Sequence, residues 1–397
     1  MEAGNTKFIK KLNEKSVLNW IRKKDDVSRS DLARLTSLNP STISDIVGRL
    51  ISEKLVVEKG RGSSTGGRKP RLLNLNKKSF LYCGISVHLH LHAVILDIDG
   101  NVLAKTDIIP DNPRQIDVET LINGIKNVTR KAGIEVNELR GVGIGIPGQV
   151  NKDFGVVEYA PHVEWENFRL EEELQTELGV TVCIDNGMKA RALGESWFGK
   201  GQNINNFVVL NVEEGIGAAI VIDNKVYRGF TQRAGEIGHN FASGSSQSTC
   251  RCGNRGCLET VAGSRALINS VQEAITQGYD FPFAELTLEN IFTIWKNNEE
   301  EVIDDIISNV AFNLGVEVAD LFNTLDPERM IVSGNVIETG GEILLKEIIE
   351  GAQKHVFGQL DNSRIIKSEL GIRGVAIGAA TLGMHEYFES SLLKTTQ

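Results

Sequence analysis

The chain has 397 residues, 41% of them hydrophobic, which is enough for two or three domains with sizeable cores. Lys and Arg number 43 against 52 Asp and Glu, a formal charge of −9 that excludes a uniformly basic nucleic-acid coat. The average conceals a split: residues 1–78 carry 18 basic and 8 acidic side chains, a net of +10, and the rest carries 25 against 44, a net of −19. A basic head suits a polyanion, and an acidic body suits a small neutral ligand. No apolar run is long enough to cross a bilayer and the first residues lack an apolar signal core, so a cytoplasmic protein without a membrane partner is expected.

In chain order, a first helix from about Thr6 to Lys24 places Phe8, Ile9, Leu12, Val17, Trp20 and Ile21 near one face, for packing and a dimer contact. Ser28 is expected to cap a short helix through Asp31, Leu32, Ala33 and Leu35, and Ser37-Leu38-Asn39 to break it. A second helix starts at Asn39-Pro40, with Asn as cap and Pro at the first position, and buries Ile43, Ile46, Val47, Leu50 and Ile51. Two short helices across a tight turn make a helix-turn-helix. Its second helix turns Ser41, Ser44, Asp45, Gly48, Arg49 and Ser52 outward, where small and polar side chains can approach base edges in a major groove, and Ser41, Thr42, Ser44 and Arg49 are the expected DNA contacts. Val56–Lys59 and Arg71–Leu75 then form a hairpin whose glycine-rich tip offers Arg61, Arg68 and Lys69 to a phosphate backbone. Together these predict a winged helix-turn-helix over residues 1–76 that binds operator DNA. The competing reading is a helical protein-binding module with a solvated charged loop.

From Leu81 the pattern changes to strands at 82–87, 92–98 and 102–109, with a turn at Asp99-Gly100-Asn101, a helix near 115–132 and an apolar strand at 141–148. The alternation restarts at Phe207–Val212, which predicts two α/β lobes flanking a cleft. His88, His90 and His92 alternate and would share one strand face, most simply its solvent side. Apolar residues at helical spacing from Ile303 to Leu321 predict a long helix, buried or at a dimer interface, and a last helix spans about 374–388. Three of the five cysteines, Cys250, Cys252 and Cys257, cluster in a way that favours a metal over a disulfide in a reducing compartment.

Nearly the whole chain resembles the ROK family, which groups sugar-responsive repressors with sugar kinases. The resemblance rests on Thr65-Gly66-Gly67-Arg68-Lys69-Pro70, Gly145-Ile146-Pro147-Gly148, Asp185-Asn186, and Ala192-Leu193-Gly194-Glu195. It rests most on Ala234-Gly235-Glu236-Ile237-Gly238-His239 followed by the cysteine loop Cys250–Cys257 and Leu258-Glu259. It implies an α/β fold in which the winged head precedes a two-lobed, actin-like (ribonuclease-H-like) body at 77–397. Lobe one would cover about 77–200 plus the carboxy-terminal helix at about 375–397, and lobe two about 201–374. His239 and the three cysteines form one imidazole and three sulfurs, a closed set for structural Zn2+. By the same resemblance Gly148, Asn186, Glu236, His239 and Glu259 would hold a sugar effector, and the protein would act as a homodimer or homotetramer.

The departures from the kinase pattern bear on function. Where ROK kinases carry an aspartate as general base, this chain has Gly187, which takes no proton. Where the second phosphate loop would read Gly-Thr-Gly-Ile-Gly, it has Glu213-Glu214-Gly215-Ile216-Gly217. A like charge about 4 Å from a phosphate costs on the order of 1 kcal/mol even in water. The expected function is therefore a sugar-responsive repressor of carbohydrate genes without kinase activity and with no catalytic residue, and the family resemblance implies xylose as first effector. The alternatives are a ROK kinase that also binds DNA and a scaffold that binds no sugar.

Overall fold

The computed structural model describes residues 2–24, 26–61, 70–88, 91–110, 116–161, 163–242, 248–297 and 300–389; of residues 2–7 and 61 it describes only the backbone. The head comprises α1 (Glu2–Lys23), β1 (Val27–Ser28), α2 (Arg29–Thr36), α3 (Pro40–Ser52), β2 (Val56–Arg61) and β3 (Arg71–Leu75). Ser28 caps α2 as expected: its hydroxyl accepts from the Asp31 amide at 3.2 Å, and the Asp31 carboxylate accepts from the Ser28 amide at 3.3 Å. Asn39 differs, making no side-chain cap, so Pro40 alone marks the start of α3. The strands order β1-β3-β2 and form the wing, whose tip at 62–69 lies outside the described residues.

The first lobe follows with β4 (Leu81–Ser86), β5 (Leu91–Leu96), β6 (Val102–Ile108), α4 (Val118–Ala132), β7 (Leu139–Ile146), β8 (Gln149–Asn151), β9 (Val156–Ala160), β10 (Trp165–Phe168), α5 (Leu170–Leu178), β11 (Val182–Asn186) and α6 (Gly187–Phe198). The second has β12 (Phe207–Val212), β13 (Ile216–Ile222), β14 (Lys225–Tyr227), α7 (Glu259–Ala262), α8 (Ser264–Thr276), α9 (Leu288–Asn297), α10 (Glu301–Leu325), β15 (Arg329–Ser333), α11 (Asn335–Gln353) and β16 (Ile365–Lys367). The chain returns to lobe one as α12 (Gly374–Phe388).

The two large sheets run β11-β7-β4-β5-β6 and β14-β13-β12-β15-β16. Each begins with an antiparallel meander of three strands and extends its first strand by two parallel ones, so the lobes repeat one topology. This duplication is the actin-like architecture. The apolar face of α10, including Ile303, Ile307, Val310, Leu314 and Val318, is spent inside lobe two, which settles the choice between core and interface for those residues.

Helix α12 lies across β4 and β7 at backbone contact. A Cβ on Gly143 would stand 1.7 Å from the Ala379 carbonyl oxygen, and one on Gly84 would stand 2.0 Å from that of Ala376. The other side of α12 joins the head: Val17, Leu18 and Ile21 of α1 share one apolar cluster with Phe80, Met384 and Phe388. Phe8 and Ile9, expected on this face, are 43% and 49% exposed. Arg22 completes the junction, its guanidinium 4.1 Å from the Trp197 ring centroid at the end of α6 and 3.3 Å from Glu389.

Candidate functional site

Helix α3 presents Ser41, Ser44, Asp45, Gly48 and Arg49 to solvent with Thr42 half-buried, while Ile43, Ile46, Val47 and Leu50 are buried. Arg49 is held by Glu14 of α1 at 3.3 Å, a pairing that draws it toward the head's own surface and that periodicity does not reveal. The Arg61 side chain, Arg68 and Lys69 lie outside the described residues. At the wing's base Glu58 is paired with Arg71 and, at 3.0 Å, with Arg29, tying β2 to the start of α2.

Between the lobes lies a cleft of about 2230 Å³ lined by Gly148, Asn186, Glu236, His239 and Glu259, the five residues expected to meet a sugar. Two of them are already engaged. The Asn186 carboxamide caps α6, its oxygen accepting from the amides of Met188 at 3.0 Å and Lys189 at 3.2 Å. Its nitrogen donates to the Gly148 carbonyl at 2.8 Å. Gly148 has φ +119°, and a Cβ there would meet the Tyr159 oxygen at 2.3 Å, so its lack of a side chain serves the turn before β8. The carboxylates of Glu236 and Glu259 also line the cleft.

The cysteine loop folds back on His239. The ligand atoms of His239, Cys250, Cys252 and Cys257 all lie within 4.8 Å of one another. Cys250 Sγ is 3.5 Å from His239 Nδ1, and Cys252 Sγ is 3.6 Å from Cys257 Sγ. Metal–sulfur bonds of about 2.3 Å in a tetrahedron set sulfurs roughly 3.7 Å apart, so the four residues fit a metal ion with little movement. Glu259 Oε1 accepts from Cys250 Sγ at 2.9 Å, which fixes that carboxylate beside the cluster. The cluster thus braces the loop that carries Glu236 and Glu259 to the cleft.

The sequence reading cites Asp185 only as part of a motif and misses its partner, Arg228. Asp185 is fully buried and accepts a two-pronged ion pair from Arg228 Nη1 at 2.8 Å and Nη2 at 2.5 Å. Next to it, the buried Lys189 ammonium donates to the Gln232 carbonyl at 2.7 Å, and burial pulls its pKa down. Both contacts join α6 and β11 of lobe one to the loop of lobe two that ends at Glu236. They span 43 residues of sequence with no periodic signal to announce them.

Gly187 lines the cleft where a kinase base would stand, and its neighbouring acid Asp185 is occupied by Arg228. Glu213 and Glu214 also line the cleft, but they are not two bare charges. Glu214 is clamped between Arg251 and Arg265, and Glu213 faces His88 Nε2 at 3.9 Å. His92 is bonded to Asp107 at 2.7 Å, and His90 lies outside the described residues. Trp165 packs on Phe168, with ring centroids 5.6 Å apart.

The ROK family pattern matches residues 85–386 of the sequence. The chain belongs to the ROK family. A xylose repressor from Caldicellulosiruptor bescii is 33% identical to it over 96% of this chain and 97% of the relative. Among solved structures, a ROK family transcriptional regulator described as a homologue of the E. coli MLC protein superposes with a TM-score of 0.79 at 27% identity, covering 98% of this chain and 99% of that one. A ROK family glucokinase from Streptomyces griseus, solved with glucose and AMPPNP, gives 0.67 at 25% identity and covers 76% of this chain and 98% of its own. The regulators match this ROK chain through its head, whereas the kinase matches about three quarters of it.

Proposed function

We propose that the protein is a cytoplasmic, sugar-responsive transcriptional repressor with a head at 1–76, a body at 77–397 and no kinase activity. In this reading α3 enters the major groove with Ser41, Thr42, Ser44 and Arg49, while Arg61, Arg68 and Lys69 of the wing follow the phosphates. Two heads of a dimer, or of a tetramer built from dimers, grip a palindromic operator. Glu236, His239 and Glu259 bind the sugar with Gly148 and Asn186 forming the cleft wall, and zinc at His239, Cys250, Cys252 and Cys257 holds the loop. A bound zinc supplies charge and a fixed geometry; every ligand position is filled, so it presents no open site.

The observation that carries the reading is the shared body of cleft and head. Helix α6 begins at the cleft with Asn186 as its cap and, 12 residues on, ends near Trp197, on which Arg22 of the head stacks. A rod of roughly 18 Å then connects the cleft to the junction with the head. Sugar that draws the loop at Glu236 toward Asp185 and Lys189 moves α6, and α6 and α12 move the head. A few kcal/mol of differential affinity between the two lobe arrangements drives such a shift. Absence of kinase chemistry is supported by Gly187 and by the engagement of Asp185 with Arg228.

The test is a thermal-shift series of the purified protein with pentoses, hexoses and amino sugars, each with and without Mg-ATP, with xylose first. A midpoint raised by one sugar and indifferent to ATP supports a sensor. ATP-dependent phosphorylation by the unaltered chain overturns the repressor-only reading, and a response to no sugar favours a scaffold.

A further inference from the structure

Helix α1 reaches both the recognition helix and the body. Glu14 lies 3.3 Å from Arg49 of α3, with the Glu14 side chain 25% exposed and that of Arg49 49%. One residue on, Lys15 Nζ stands 5.9 Å from the Tyr387 ring centroid of α12. Two turns further, Arg22 stacks on Trp197 and pairs with Glu389. Lys15 and Arg22, seven residues apart, share one face of α1, and Glu14 stands beside that face. The helix that Lys15 and Arg22 seat on the body therefore carries the acid that reaches α3.

Arg49 does not take the local partner. Asp45 is exposed and precedes it by four residues, the order and spacing that favour an ion pair along a helix, yet Arg49 turns to Glu14 of another helix. Along α3 the arginine stands roughly 12 Å beyond Ser41. The first residues of a recognition helix meet base edges, and a guanidinium this far along approaches the flanking phosphates. A carboxylate in ion-pair contact neutralises the charge that a phosphate would use, so a paired Arg49 releases fewer counterions from DNA.

We propose that Glu14 is a positioning residue for DNA binding: it withholds the charge of Arg49 from the phosphate backbone, so that the seat of α1 on the body sets how strongly α3 grips DNA of any sequence. The inference rests on the proposed DNA-binding role of the head.

Fluorescence anisotropy of the full-length protein with a mixed-sequence DNA duplex, over roughly 50 to 200 mM salt, tests this. Glu14→Gln is expected to bind about two- to fivefold more tightly than wild type at the lower salt, the range that an exposed ion pair spans. Its slope of log affinity against log salt is expected to steepen by about 1, as one more neutralised phosphate requires. In an Arg49→Gln background the same substitution is expected to bring no gain, which separates release of Arg49 from the mere removal of a negative charge near DNA. Glu14→Ala is expected to act in the same way and serves if the glutamine variant does not fold. Wild-type binding with an unchanged slope in the Glu14 variants, or a gain that survives Arg49→Gln, overturns the inference and leaves the DNA reading in place. Failure of wild type and every variant to bind the duplex overturns both.

Discussion

Trp197→Ala tests whether the head listens to the cleft through α6. The substitution removes the indole on which Arg22 stacks at 4.1 Å, while the Arg22–Glu389 pair at 3.3 Å stays in place and keeps the guanidinium from being orphaned. The Arg22 side chain is only 18% exposed, so the stacking belongs to the desolvated end of its range, about 2 kcal/mol, rather than the roughly 0.5 kcal/mol of exposed pairs. Allowing for partial repacking by Phe198 and Phe388, a loss of about 1–2 kcal/mol at the junction corresponds to roughly 5–30-fold. The assay is operator binding by fluorescence anisotropy with and without saturating sugar. Operator affinity without sugar is expected to hold, because Trp197 lies away from α3. The ratio of the two affinities is expected to fall by the stated factor toward one. A folded Trp197→Ala protein with an unchanged ratio refutes transmission through this contact.

Cys252→Ser is expected to release zinc, measured as metal content, and to abolish the sugar-induced thermal shift while operator binding by the head persists. Glu236→Gln is expected to weaken sugar binding about tenfold or more, as loss of a hydrogen bond to a charged acceptor does, with operator affinity unchanged in the same preparation. Burial pushes the His385 imidazole below its ordinary 6.5, against the opposing pull of Glu389. Above that pH the group is neutral folded and unfolded; below it only the unfolded chain takes up the proton, so stability is lost as pH falls. The melting temperature is therefore expected to drop more between pH 7.5 and 5.5 in wild type than in His385→Gln, and equal drops would refute the assignment.

What the sequence discloses follows the range of the interaction. The capping box of Ser28 and Asp31 is legible because both partners lie within one turn, and the α3 face is legible because its burial repeats with the helix. The His239 and cysteine cluster joins residues eleven and more positions apart; it is readable only because a dense cysteine motif accompanies a family resemblance. Asn39 shows the limit of local rules, since Pro40 set the helix start and the asparagine side chain found no amide. Asn186 shows another: its carboxamide serves the α6 terminus and Gly148 before any ligand. Arg228 with Asp185, Arg49 with Glu14 and Arg22 with Trp197 follow no spacing at all. They exist because separate elements are packed together, which only the fold decides.

The position of α12 has a bearing on how the protein is made. Ribosomes deliver the head before α12, yet α12 fills the groove over Gly84 and Gly143 and closes the apolar cluster beneath α1. Until it arrives, lobe one exposes the bare face of its sheet and the head has no seat. A nascent or prematurely ended chain can thus fold its helix-turn-helix without acquiring the linkage to the cleft. Such fragments would carry a helix-turn-helix that answers to no ligand, and the late helix makes obedience to the effector a property acquired after the head has folded.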